Sequence, residues 1–125
     1  MDSLAGILTR SADQHGERTA LVDEQRTVNY RDLANAVATF AEVLEEQVRP
    51  GDRAAIFLPN SIEFVRSFFA IARLGGVVVP LNDQYKEIEL TRLLNEGAFA
   101  SIITSRLNAS LLDRVAGSAA RSCRI

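Results

Sequence analysis

Arg53-Ala-Ala-Ile-Phe-Leu-Pro-Asn-Ser-Ile-Glu-Phe-Val-Arg-Ser-Phe-Phe-Ala-Ile-Ala-Arg-Leu-Gly-Gly-Val-Val-Val-Pro80 changes its periodicity twice, and those two changes decide the fold class. Arg53 to Leu58 is a short, largely apolar run, the composition of a strand with helices on both faces. Pro59 ends it. Asn60, with Glu63 three residues on, has the pattern of a helix N-cap answered by an acidic side chain. Ile62, Val65, Phe68, Phe69 and Ala72 then recur at helical spacing. Gly75 suits the left-handed position after a helix. Val77 to Pro80 is a second strand, with Pro80 near its end, where a missing N–H matters least. Strand, helix and strand with short links predict a parallel pair joined by a crossover helix.

The pattern continues in both directions. Downstream, Lys86 to Glu96 reads as a helix closed by Gly97, Phe99 to Thr104 as a strand and Asn108 to Val115 as a short helix. Residues 116–125 have no period and almost no large apolar side chain, so an irregular tail is expected there, whether a frayed terminus or a frame that no longer encodes the domain that should follow. Upstream, Leu4, Ile7 and Leu8 mark a helix over Ser3 to Gln14, with Gly16 at its end. Thr19 to Val22 and Arg26 to Asn29, joined by Asp23-Glu24-Gln25, read as a hairpin. Asn29, answered by Asp32, caps a helix of about 17 residues with a stripe of Tyr30, Leu33, Val37, Phe40 and Leu44. Pro50-Gly51-Asp52 is a turn before the first sheet strand. The expected class is α/β: an N-terminal helix and β-hairpin, then a parallel-sheet layer with crossover helices.

A chain of 125 residues with 47 % apolar and 24 % charged side chains fits one ordinary globular domain. The net charge of −2 is split as −4 over residues 1–62 and +2 over the rest, which supplies no basic field for nucleic acid. Lys86 is the only lysine. Chemistry that needs a second lysine is therefore beyond this chain alone. Cys123 is the only cysteine, which excludes an intrachain disulfide, points to a reducing compartment and reads as an inert surface thiol. Residues 1–10 lack a signal-peptide pattern, and the most apolar stretch, Phe64 to Leu81, is interrupted by Arg66, Arg73 and Gly75-Gly76, so no integral membrane segment is expected. A cytoplasmic location follows as an expectation.

Few residues suggest chemistry. His15, the only histidine, lies in a polar helix end and reads as solvated. Glu45 and Glu46 are adjacent on a helix and point about 100° apart, so they cannot share a proton. Asp52 belongs to a turn. Asp83 follows a strand end, where α/β proteins place ligand groups, yet turn chemistry accounts for it. Gly75-Gly76 follows a helix, whereas a phosphate loop precedes one. No cluster has metal-ligand spacing. The residues assign no catalytic, cofactor-binding or metal-binding position.

Five segments taken in order carry a family resemblance. Val28-Asn-Tyr-Arg-Asp-Leu33, Pro50-Gly-Asp-Arg-Ala-Ala-Ile-Phe-Leu-Pro-Asn-Ser-Ile-Glu-Phe64, Ala70-Ile-Ala-Arg-Leu-Gly-Gly-Val-Val-Val-Pro-Leu-Asn82, Gln84-Tyr-Lys-Glu-Ile-Glu-Leu90 and Ala98-Phe-Ala-Ser-Ile-Ile-Thr104 resemble the opening elements of the adenylate-forming (AMP-dependent synthetase/ligase) superfamily. Pro80-Leu81-Asn82 and Pro59-Asn60-Ser61 look more like acyl-CoA synthetases than adenylation domains of peptide synthetases. Asp83 departs from the proline frequent at its position. The resemblance covers residues 3 to 105. It implies that residues 1–105 are the N-terminal part of a large domain, with residues 106–125 a short helix and irregular tail.

For an intact member, the resemblance implies ATP, magnesium and CoA as cofactors and activation of a carboxylate through an acyl-adenylate. The family's phosphate loop, magnesium-orienting carboxylate, ribose-binding Asp and late Lys have no match here. The expectation is a scaffold portion of an acyl- or fatty-acid-CoA ligase, inactive and without cofactor by itself, whose partner is the remainder of the ligase or a homologous chain. The alternatives are a non-catalytic or regulatory fragment packing on a separate ligase chain, a fragment of a peptide-synthetase adenylation domain, and a self-contained small α/β binding module.

Overall fold

The computed structural model describes residues 4–116 and 121–124. Helix α1 (Leu4–His15) leads into a ribbon of β1 (Thr19–Val22) and β2 (Thr27–Asn29). Helix α2 (Tyr30–Leu44) follows, then β3 (Arg53–Phe57), α3 (Ile62–Arg73), β4 (Val77–Pro80), α4 (Glu87–Gly97), β5 (Ser101–Thr104), α5 (Arg106–Ala116) and β6 (Arg121–Arg124). The ribbon is antiparallel, with Val22 opposite Thr27. The other four strands form one sheet in the order β4-β3-β5-β6, and every pair in it is parallel. The α/β class, with helix and hairpin first and a parallel layer after, is as expected.

Alternation along the strands builds two cores from one sheet. Ala54, Ile56 and Ile103 face Leu33, Val37, Ala41 and Leu44 of α2 and Ala70 and Ile71 of α3. Ala55, Phe57 and Ile102 face Leu90 and Leu94 of α4 and Leu112 of α5. Both faces of β3 and β5 are therefore covered, which is why β3 reads as a largely apolar run and why all four residues of β5 are buried. On α1, Leu8 is buried while Ile7 is exposed, so the expected stripe is narrower than its apolar residues. Ser3, where that helix was expected to begin, lies outside the described residues.

Local details depart from expectation at three places. The N-cap of α3 is Ser61, not Asn60: Ser61 Oγ accepts from the Phe64 N–H at 3.2 Å and donates to the Pro59 carbonyl at 2.9 Å. A hydroxyl one residue nearer the helix wins because it can do both at once. Helix α4 ends through Ala98, which takes the left-handed conformation at φ 50°, while Gly97 stays within the helix. Gly97 is needed for another reason: a Cβ there would lie 2.3 Å from the Phe99 ring. The expected irregular tail is corrected over residues 121–124, which pair with β5 in parallel register as β6. A strand at a sheet edge can be held by backbone hydrogen bonds, so an aperiodic sequence does not prevent it. Residues 117–120 and 125 of that tail lie outside the described residues, and so does the side chain of Cys123.

Two expected termini hold. Asn29 Oδ1 accepts from the Asp32 N–H at 2.8 Å and caps α2. Gly75 takes φ 79° and turns the chain from α3 into β4, a conformation that strains any residue with a Cβ.

Candidate functional site

The strand order places the one crevice that topology favours for a ligand. Helix α3 leaves β3 toward the first core, and α5 leaves β5 toward the second. Adjacent parallel strands whose connections depart to opposite faces open a gap at their carboxyl ends, where open α/β sheets bind ligands. Here that gap lies between Leu58–Ser61, after β3, and Ser105, after β5. Its base is tied: the buried Thr104 Oγ1 donates to the Phe57 carbonyl at 3.0 Å, joining the two strand ends.

The polar groups around this edge mostly hold loops. Ser61 Oγ has a donor and an acceptor already, and no histidine approaches it in sequence. Asn82, after β4, accepts from the Gln84 N–H at 2.9 Å. The turn chemistry expected of Asp83 thus belongs to its neighbour, and the Asp83 carboxylate accepts from the Gln84 side chain at 3.4 Å. His15 is exposed at the end of α1, and Glu45 and Glu46 are exposed after α2, well apart in the chain from the crevice. Asp52 Oδ2 accepts from the Arg49 N–H at 3.0 Å within its turn, at the opposite, amino end of β3. Among the described residues, no group of three His, Cys, Asp or Glu side chains is placed to hold a metal ion. No described helix is long and apolar enough to cross a membrane.

Next to the same loop lies a cavity of about 590 Å³, between the ribbon turn and the start of α3, with Val22, Asp23, Pro59, Ile62 and Glu63 on its wall. Two of its charged groups, Asp23 and Glu63, are engaged. The N–H of Gln25 donates to Asp23 Oδ1 at 2.9 Å, and so does that of Arg26. The Gln25 bond foremost holds the Asp23 carboxyl below the usual carboxylate range, although the little desolvation it suffers opposes this; the N–H groups of Arg26 and Ile62 add to the lowering. Arg26 forms an ion pair with Glu63. The ribbon is thereby clasped to the first turn of α3. Farther along α3, Arg66 lies over the Phe40 ring at 4.6 Å from its centre. Burial pushes its guanidinium below the ordinary arginine value, opposed by the Glu63 charge.

Sequence reasoning missed this clasp and the Thr104 tie. Asp23 could have been found, because an Asp opening a short polar hairpin link commonly accepts from the backbone N–H groups just after it. The ion pair between Arg26 and Glu63 spans 37 residues, and nothing local marks it.

Comparison with known proteins agrees with this architecture. Residues 8–124 match the family described as AMP-binding enzyme, and the chain belongs to that family. The matched stretch runs past Ser105, through α5 and β6. The chain is 30 % identical over 115 residues to a long-chain-fatty-acid–CoA ligase of Salmonella typhimurium, covering 90 % of this chain and 20 % of that protein. It is 30 % identical over 105 residues to a 3-oxocholest-4-en-26-oate–CoA ligase of Rhodococcus rhodochrous, covering 83 % of this chain and 19 % of the relative. The chain thus spans about a fifth of the length of the curated relatives it matches. Among solved structures, the N-terminal domain of FACL13 from Mycobacterium tuberculosis superposes with a TM-score of 0.89 at 24 % identity, over 100 % of this chain and 34 % of that one. A benzoate CoA ligase from Burkholderia xenovorans gives 0.90 at 18 % identity, over 100 % of this chain and 26 % of that one.

Proposed function

We propose that this chain is the N-terminal scaffold portion of an ATP-dependent, AMP-forming ligase that joins a carboxylate, of the acyl or fatty-acid class, to CoA. We propose too that it forms no acyl-adenylate by itself. The observation that carries the reading is the state of the sheet's carboxyl edge. The fold opens the topological crevice between β3 and β5, yet Ser61 at its mouth and Thr104 at its base are committed to capping and tying. Adenylate formation needs preorganised cations and backbone donors around developing phosphate charge, with the two reactants held in line. The side chains described here hold strands and loops in place, which is the work of a supporting wall. The acyl and CoA assignment draws on the printed names of the Salmonella and Rhodococcus relatives. In the intact ligase, ATP, magnesium and CoA would meet groups that this chain does not supply.

ATP–pyrophosphate exchange by the purified 125-residue chain, with a panel of carboxylic acids, tests the reading. Exchange at the level of the protein-free control is expected. Turnover with any acid overturns the claim that the chain is a scaffold only.

A further inference from the structure

Strand β4 has the composition of an interior strand and the position of an edge strand. Val77-Val78-Val79-Pro80 pairs with β3 on one side, and the sheet order ends there. Exposed edges are normally blunted by charge, by proline or by shortness; β4 carries no charge, and its one proline stands at the end of a four-residue strand, past the open Val78. The opposite edge, β6, begins and ends with arginine. Val77 is 48 % exposed, and Val78 and Val79 are only half-buried.

The backbone limits what can pair with this edge. The Val77 N–H donates to the Asp52 carbonyl at 2.7 Å and the Leu81 N–H to the Ile56 carbonyl at 2.9 Å, so the odd-numbered residues face β3. Strand alternation turns Val78 the other way, with both its N–H and its carbonyl on the open side. The Pro80 carbonyl follows, without an N–H. The open edge therefore presents one donor and two acceptors and ends at Pro80. The side chains beside it serve both cores, since Val78 packs on the α3 side and Val79 on the α4 side.

We propose that the open edge of β4 is the docking site for an apolar β-strand supplied by the remainder of a ligase polypeptide. This rests on the scaffold reading above. The occupant is extended because only a strand satisfies alternating backbone groups. It is apolar on both faces because it continues two cores at once. The relatives hold about four-fifths of their length outside the matched part, ample to supply it.

The test is amide hydrogen exchange at Val78 in the 125-residue chain, alone and mixed with the separately produced remainder of the Salmonella relative. A single-chain fusion of the two is read in the same way, in case the separate remainder does not fold. Protection of Val78 should rise at least tenfold in the complex or the fusion. Val78→Pro removes a donor that the described residues do not use together with some packing on α3, and Val78→Ala removes the packing but keeps the donor, so V78P should bind at least tenfold more weakly than V78A when both are assayed well below their melting temperatures. Unchanged exchange at Val78 in both the complex and the fusion, or equal binding by V78P and V78A, overturns the proposal and leaves the scaffold reading intact. Concentration-dependent protection in the chain alone would assign the edge to a second copy and also overturn it. Failure of the scaffold reading appears elsewhere, as pyrophosphate exchange by the chain alone.

Discussion

Strands β3 and β4 lie side by side in one sheet and are alike in apolar content, yet four of the five residues of β3 are buried and none of the four in β4. Position in the sheet, not the side chains, makes the difference. A central strand has a neighbour on each side and a helix layer over each face, whereas an edge strand has one neighbour and partial cover. Hydrophobicity along a sequence therefore reports where a strand is built to sit, and solvent exposure reports what surrounds it.

The largest expected effect tests that contrast directly. Phe57→Ala, at a fully buried ring, should cost about 3–5 kcal/mol, whereas Val77→Ala, at the exposed end of β4, should cost less than about 1 kcal/mol. Urea unfolding of the two variants reads both values, and similar losses would show that β4 is as enclosed as β3. An intermediate effect separates two neighbouring residues in the loop after β3. Ser61→Ala should cost about 1 kcal/mol through the lost cap, and Asn60→Ala less than about 0.5 kcal/mol. Equal losses in thermal melts would return the cap to Asn60.

The smallest effect concerns the ribbon. The Asp23 carboxyl is held below its ordinary value by backbone N–H groups, so its contribution is present above the unfolded value and fades as pH falls through the folded one. Asp23→Asn should remove that part of the acid-side decline and leave stability near pH 7 slightly lower. Acid titrations that superpose for parent and variant would show that the N–H groups of the ribbon turn do not hold the Asp23 carboxyl.

Much of this architecture was legible in the residues because it is written locally. Asn29 and Asp32 are three apart and mark the start of α2, Gly75 marks the end of α3, and the unbroken apolar run at Ala54–Leu58 marks a strand covered on both faces. The family resemblance was legible for the same reason, since it lay in short ordered segments. What escaped was either ambiguous by one residue or distant in the chain. Asn60 and Ser61 are both good caps, and only the carbonyl of Pro59 decides between them. Gly97 looked like a helix stop because glycine usually is one, and the ring of Phe99 that excludes a Cβ is a tertiary fact. Strand β6 has no apolar period to reveal it. Around the crevice, the sequence displayed polar residues but not their commitments: whether Ser61 or Thr104 is free for chemistry depends on partners that spacing does not reveal.

The bond from Thr104 to the carbonyl of Phe57 joins segments that lie 47 residues apart in sequence. The loops that follow β3 and β5 therefore rise from a shared foundation, and neither can tilt without carrying the other. The backbone ladder between β3 and β5 sets the width of that gap, and the Thr104 hydroxyl adds one more tie at its last rung.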